Sequence, residues 1–211
     1  MTRALGVFGG AFDPIHYGHV RTVAEVRAAL DLACVHFIPT ARPPHRAPPV
    51  ASAEHRLEMV RLALAELTGV VADPREFMRP GPSFTVDTLT SLRAEFPAQP
   101  LILIIGADAL AGFETWHRAG EILQLASIAA MTRPGARPGV VAELPAWAQP
   151  RRAPAAAALA ERPGRVWLQS VTPQPISSSA VRAAIARREA PTEWLSPGVW
   201  QYILSNELYR A

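Results

Sequence analysis

Residues 5–19 read Leu5-Gly6-Val7-Phe8-Gly9-Gly10-Ala11-Phe12-Asp13-Pro14-Ile15-His16-Tyr17-Gly18-His19, and this run decides the fold. Leu5 to Phe8 is a short apolar stretch ending in Gly9-Gly10, the pattern of a buried strand entering a tight turn. Beyond it Val20, Val23, Ala24, Val26 and Leu30 recur at helical spacing, so His16 to His19 lie at a helix start. Such a junction gathers unpaired backbone N–H groups and the positive end of a helix dipole, which together favour an anion. Adjacent glycines let the backbone approach that ligand closely. His16 and His19 can reach one ligand. Two imidazoles beside a triphosphate would supply hydrogen bonds and partial positive charge where a transition state gains negative charge. In the competing reading one histidine caps the helix and the other packs on Tyr17, and His-x-Gly-His alone does not choose between the two.

The pattern repeats outward. Val35 to Ile38 is a second buried strand closed by Pro39. A proline-rich loop, Pro39 to Val50, follows. Ser52 is placed to cap a helix with Leu57, Val60, Leu64 and Leu67 on its apolar side. Val70 to Ala72 is a third strand, Ser83 to Phe96 a helix with Val86, Leu89 and Leu92 on one side, and Leu101 to Ile105 the most strongly marked strand. Ser127 to Met131 and Val166 to Leu168 are two more. Strands alternating with helices of about ten or more residues predict an α/β fold, a doubly wound, Rossmann-like parallel sheet with helices on both faces. In such sheets ligands bind where strand order reverses, which singles out the turns after the first strand and after Ile105. Arg133 to Arg165, rich in Pro, Ala and Arg, reads as a surface excursion with short helical pieces. Ser196-Pro197 opens a last helix bearing Val199, Ile203 and Leu204. The expected organisation is one domain over residues 1–211, with a small C-terminal helical extension from about 176 to 211.

Composition narrows the chemistry. An apolar share of 49% over 211 residues is enough to bury a sizeable core. No apolar run approaches the roughly 20 residues that span a bilayer, so no membrane partner is expected. Met1 to Phe8 shows no signal-peptide pattern, and the one cysteine, Cys34, cannot form an intramolecular disulfide; both point to the cytoplasm. Cys34 itself reads as a small buried hydrophobe. The chain contains no lysine: all 21 basic residues other than histidine are arginine. Schiff-base catalysis and a P-loop lysine are thereby excluded, and a phosphate must be held by Arg, His, backbone N–H groups or a metal. Although the pI is 9.7, a net charge of +3 on scattered arginines gives no nucleic-acid footprint. No protein-built metal site is expected, because His16 and His19 lack a third ligand at suitable spacing.

The segment Gly9 to His19 resembles the H-x-G-H signature of the nucleotidyltransferase superfamily, and its longer Gly-Gly-x-Phe-Asp-Pro-x-His-x-Gly-His form is similar to bacterial nicotinate-mononucleotide adenylyltransferases. Further elements follow in order. Pro43-Pro44-His45-Arg46 looks like that family's loop after the second strand. Pro82-Ser83-Phe84-Thr85 with Thr88-Leu89 resembles its Ser-aromatic-Thr-x-x-Thr-Leu element, and Ile105-Gly106-Ala107-Asp108 its Ile-Gly-x-Asp turn, with Trp116 at the expected spacing. Arg133-Pro134-Gly135 also fits, and Ile176-Ser177-Ser178-Ser179-Ala180-Val181-Arg182 resembles its Ile-Ser-Ser-Thr-x-Ile-Arg signature, with Ser179 where Thr is usual. Val140 to Gly164 lies outside the resemblance.

The resemblance implies adenylyl transfer from ATP to nicotinic acid mononucleotide, giving deamido-NAD and pyrophosphate, with Mg²⁺ bound through substrate phosphates. Gly9, Gly10, Phe12, His16, His19, Gly106, Asp108, Ile176, Ser178, Ser179 and Arg182 are then expected at ATP, with His16, His19 and Arg182 catalytic. His45, Arg46, Phe84, Thr85, Trp116 and His117 are expected at the mononucleotide. The residues agree where they can be read alone. Ser177 to Ser179 form a second helix start, where one serine caps, and Arg182 can grip a phosphate in bidentate fashion. Asp108 suits a ribose hydroxyl or a cap, Trp116 a pyridine ring or plain packing, and His45 and Arg46 a phosphate or a solvated loop. Many relatives are aromatic at position 117, where this chain has His117. His36, His55, Trp147, Trp167, Trp194 and Trp200 are assigned structural or surface places. Rival expectations are the same chemistry on nicotinamide mononucleotide or phosphopantetheine, and a catalytically silent nucleotide- or RNA-binding module. A class I aminoacyl-tRNA synthetase would need a lysine-bearing loop that this chain lacks. The sequence leaves open whether the chain is a monomer or a homodimer.

Overall fold

In the computed structural model, which describes residues 2–44, 48–132 and 143–210, six parallel strands form one sheet in the order β3-β2-β1-β4-β5-β6. The strands are β1 (Leu5–Gly10), β2 (Cys34–Pro39), β3 (Val70–Ala72), β4 (Leu101–Gly106), β5 (Ser127–Thr132) and β6 (Val166–Ser170). Strand order reverses between β1 and β4, the two strands whose following turns the sequence singles out. The helices are α1 (Tyr17–Ala29), α2 (Ala53–Leu64), α3 (Thr85–Glu95), α4 (Ala107–Ala111), α5 (Ala119–Leu125), α6 (Ser178–Ala186) and α7 (Pro197–Ser205).

Side chains alternate across the sheet and divide the core in two. From β4, Ile102 and Ile104 join Phe8, Phe37, Val23, Val26, Met59, Val60, Val181 and Ile203 under α1, α2, α6 and α7. Leu101, Leu103 and Ile105 point the other way, to Val86, Leu89, Leu92, Leu110 and Ile122 of α3, α4 and α5. Each fully buried aliphatic side chain contributes about 1.5–3 kcal/mol, so both faces are strongly determined. Among the described residues no helix is long and apolar enough to cross a membrane.

Several details depart from the sequence reading, among them Cys34, which is half-buried where a buried side chain is expected. Ala24 of α1 faces solvent. Leu67 lies beyond α2, 43% exposed, because the chain leaves the helix for the positive-φ turn at Gly69. Ser83 is outside α3: its Oγ accepts from the Arg42 N–H at 3.0 Å, and its own N–H donates to the Arg42 carbonyl at 2.9 Å. That exchange ties the loop after β2 to the segment before α3. The stretch from 143 to 165 is no mere surface excursion either. Leu144, Ala148, Ala153 and Leu159 are buried, because its two 3₁₀ turns, Ala146–Arg151 and Ala156–Ala160, press small side chains against the sheet. The caps read from sequence hold, with Ser52, Ser177 and Ser196 accepting from His55, Ala180 and Val199 N–H groups.

Candidate active site

β1 delivers Gly9-Gly10 to the C-terminal end of the strands at the middle of the sheet, and the chain then turns sharply through Phe12, whose φ is +49°. A phenylalanine enters that region only where its surroundings over-determine it. Here the ring is buried against Phe8 at 5.6 Å and edge-on to His19 at 5.2 Å. A Cβ on Gly10 would stand 3.0 Å from the Phe12 ring, so Gly10 is dictated by this neighbour. A Cβ on Gly9 would meet no protein atom nearer than 3.9 Å, and one on Gly106 none within 4 Å, which leaves open approaches at the ends of β1 and β4. The Phe12 side chain therefore forms the wall behind His19, and only its backbone faces the turn.

His16 is the N-cap of α1, with extended backbone, and its carbonyl accepts the His19 N–H at 2.9 Å. The His16 N–H donates to His19 Nδ1 at 3.3 Å. A neutral His19 ring then carries its proton on Nε2, where it can donate to an anion. The two imidazoles stack at 3.8 Å with 26° between their planes. Gly18 makes this possible: a Cβ there would lie 2.9 Å from the His16 ring. The two readings of His-x-Gly-His are thus combined, since one histidine caps and both rings converge on one side of the turn. The Tyr17 ring carries the Arg21 guanidinium at 4.8 Å.

A second helix start docks on the same turn. Ser178 Oγ donates to the Pro14 carbonyl at 2.9 Å, and Arg182 Nη1 donates to the Asp13 carbonyl at 2.6 Å. Ser179 is exposed at the tip, and Ile176 is half-buried against the core below it. The Arg182 side chain keeps 29% of its surface exposed. Its Nη1 is committed to the Asp13 carbonyl, and its Nη2 points toward the Ser179 hydroxyl, 3.5 Å away at the exposed tip of α6.

Of the residues expected at the mononucleotide, those described are Phe84 and Thr85 at the start of α3 and Trp116 and His117 between β4 and α5. Phe84 is the N-cap of α3 and Thr85 its first residue. His117 stacks on Phe84 at 4.1 Å and 28°, so it takes the place of an aromatic at that position. Trp116 is half-buried beside Phe113, with ring centres 5.4 Å apart. Asp108 is exposed in the first turn of α4, where the helix dipole favours its charge; Gly106 is the N-cap, and Asp108 is not a cap. His45, Arg46 and Arg133-Pro134-Gly135 lie outside the described residues. His36 and His55 are structural, paired at 2.8 Å with Asp73 and at 2.9 Å with Tyr202. No group of three His, Cys, Asp or Glu among the described residues is arranged to hold a metal ion.

Sequence reasoning missed the scaffold beneath the site. Asp13, 5% exposed, accepts the N–H groups of Val50 at 2.7 Å and Ala51 at 3.1 Å and the Tyr209 hydroxyl at 2.7 Å. Arg56, 1% exposed, donates to the carbonyls of Ala11 at 2.7 Å and Ala51 at 3.3 Å. Burial lowers the pKa of Arg56, and the Asp13 carboxylate opposes that shift. Glu76, also buried, bridges the Ala41 N–H and the Thr88 hydroxyl. A signal for Arg56 exists: it falls on the stripe Arg56, Met59, Val60 that α2 turns inward.

The model of the cytidylyltransferase-like family matches residues 7–184. A probable nicotinate-nucleotide adenylyltransferase of Aeromonas hydrophila is 44% identical over 207 residues, covering 98% of this chain and 97% of its own. One of Dechloromonas aromatica is 41% identical over 216 residues, covering 100% and 99%. Among solved structures, the Plasmodium falciparum nicotinic acid mononucleotide adenylyltransferase complexed with NaAD superposes with a TM-score of 0.71 at 14% identity, over 99% of this chain and 98% of that one. At that identity it speaks for the fold.

Proposed function

The chain belongs to the nicotinate-nucleotide adenylyltransferases of the cytidylyltransferase-like family, and from that premise we propose that it transfers an adenylyl group from ATP to nicotinic acid mononucleotide, a step of NAD biosynthesis. The observation that carries this reading is the convergence of two helix starts on the turn after β1: the stacked His16 and His19 from one, Ser178 and Arg182 from the other.

The mononucleotide phosphate, with a second pKa of about 6, is largely dianionic near neutral pH and attacks without a general base. One oxygen of it bonds to the α-phosphorus of ATP while the bond from that phosphorus to the bridging oxygen breaks, and pyrophosphate leaves with the electron pair. The protein must bring two anions together and neutralise the charge that accumulates on the leaving group. His16 and His19 contact the ATP phosphates, with His19 donating from Nε2. Arg182, Ser178 and Ser179 hold the outer phosphates at the α6 N-terminus. Gly9, Gly10, Gly106 and the Phe12 backbone let the nucleotide approach the strand ends, Asp108 bonds a ribose hydroxyl, and Ile176 borders the nucleotide. Phe84, Thr85, Trp116 and His117 receive the pyridine ring and its carboxylate, with His45 and Arg46 on the mononucleotide phosphate.

A magnesium ion would be held through phosphate oxygens and water, since Asp13, the carboxylate buried at the turn among the described residues, is already occupied by Tyr209, Val50 and Ala51. When bound, that ion neutralises phosphate charge beside the histidines. The reading takes residues 1–211 as one nucleotidyltransferase domain working in the cytoplasm, with no nucleic-acid partner.

The acceptor is tested by pyrophosphate release from Mg-ATP with nicotinic acid mononucleotide, nicotinamide mononucleotide and phosphopantetheine offered separately. Preference for the acid mononucleotide is expected, with kcat/KM at least about tenfold above the amide, because an unmet donor at the carboxylate costs about 1–3 kcal/mol. Preference for the amide would overturn the acceptor. Binding of ATP without turnover on any acceptor would favour a silent nucleotide-binding module.

A further inference from the structure

Arg182 reaches the turn after β1 through one residue, Asp13. Its Nη1 donates to the Asp13 carbonyl at 2.6 Å and stands 3.7 Å from Oδ2 of the Asp13 carboxylate. Asp13 cannot drift toward the guanidinium, because other partners hold it: the Val50 and Ala51 N–H groups at the end of the proline-rich loop, and the Tyr209 hydroxyl at 2.7 Å. Tyr209 comes from the far end of the chain and is itself buried, its ring among the core side chains of α1, α2, α6 and α7. Its φ is +63°, and Glu207 two residues earlier is also at positive φ, +52°. A tyrosine holds that conformation only where its contacts compensate, so the turn after α7 is shaped to present the hydroxyl. Burial and the Asp13 charge raise the Tyr209 pKa far above its usual value, so it stays a donor at every working pH.

We propose that Tyr209 and Asp13 form a positioning latch that fixes the guanidinium of Arg182 toward the ATP phosphates, making the C-terminal turn part of the catalytic scaffold. The proposal rests on the adenylyltransferase reading and adds to it a residue that touches no substrate. Without the hydroxyl, one lone pair of a buried carboxylate loses its donor. Arg182, whose Nη1 already stands 3.7 Å from Oδ2, would then swing inward to the carboxylate and away from the ligand.

The test is a double-mutant cycle on the full-length protein with Mg-ATP and nicotinic acid mononucleotide. Tyr209→Phe is expected to lower kcat/KM for ATP about tenfold, the scale of one hydrogen bond to a charged group. The KM for the mononucleotide should stay within about twofold, since its binding residues lie elsewhere. In an Arg182→Ala background the same substitution should change kcat/KM by less than about twofold, because its lever is gone. Equal effects in both backgrounds would overturn the proposal, as would a Tyr209→Phe protein that melts earlier yet keeps its kcat/KM. If Tyr209→Phe does not fold, Tyr209→Met, which also removes the hydroxyl and leaves the Asp13 carboxylate in place, takes its position in the cycle with the same expected coupling. A wild-type protein with no turnover would instead defeat the adenylyltransferase reading, and the latch with it.

Discussion

His19→Ala is expected to lower kcat by about 10²–10³, the usual cost of removing a donor aimed at transition-state charge, while KM for ATP changes less than about threefold. The ring is held for that task. Its Nδ1 accepts from the His16 N–H, Phe12 stands edge-on behind it, and His16 stacks on its face. Such a donor need not reorganise when charge moves onto the leaving pyrophosphate, so its effect appears mainly in the transition state. A steady-state titration of ATP at saturating mononucleotide separates kcat from KM. Near-normal kcat would mean that His19 serves the fold of the turn and not the reaction. His19→Asn is a useful companion, since a short amide can keep the cap at the start of α1 but does not reach as far as Nε2.

Arg182→Ala is expected to lower kcat/KM for ATP by about 10²-fold, a loss of about 2–3 kcal/mol that corresponds to one charge-assisted contact with phosphate. Most of the loss should fall on KM, because the outer phosphates are bound before and during transfer alike. Arg182→Lys should recover less than about a tenth of that loss. An ammonium is a point charge that cannot hold the Asp13 carbonyl with one edge and a phosphate with the other. Full recovery by lysine would show that charge alone matters and that the docking on Asp13 is incidental.

Much of the fold is legible in the sequence, and particular elements show why. Leu101 to Gly106 is apolar on both faces because both faces of the sheet are covered. The two histidines, the serines of α6 and Arg182 are legible because they cluster in short motifs at strand ends. Asp13, Glu76 and Tyr209 are not. Tyr209 and Asp13 are 196 residues apart, and no local pattern announces a hydrogen bond across that distance. Ala148 and Ala158, buried under the sheet, are equally hidden, since alanine is compatible with either environment. Asp108 shows the converse: its place after the strand is equally compatible with a cap, but Gly106 takes that position and Asp108 is exposed in the first turn.

Adenylyl transfer from ATP is a single in-line displacement, and it leaves its record in the configuration at the transferred phosphorus. Reaction of ATP bearing one sulfur of defined configuration on its α-phosphorus with nicotinic acid mononucleotide should give a thio-substituted dinucleotide with that centre inverted, because one displacement inverts once. Retained configuration would overturn the single displacement: it would require two displacements through a covalent adenylyl-enzyme, with His19 the first nucleophile to suspect.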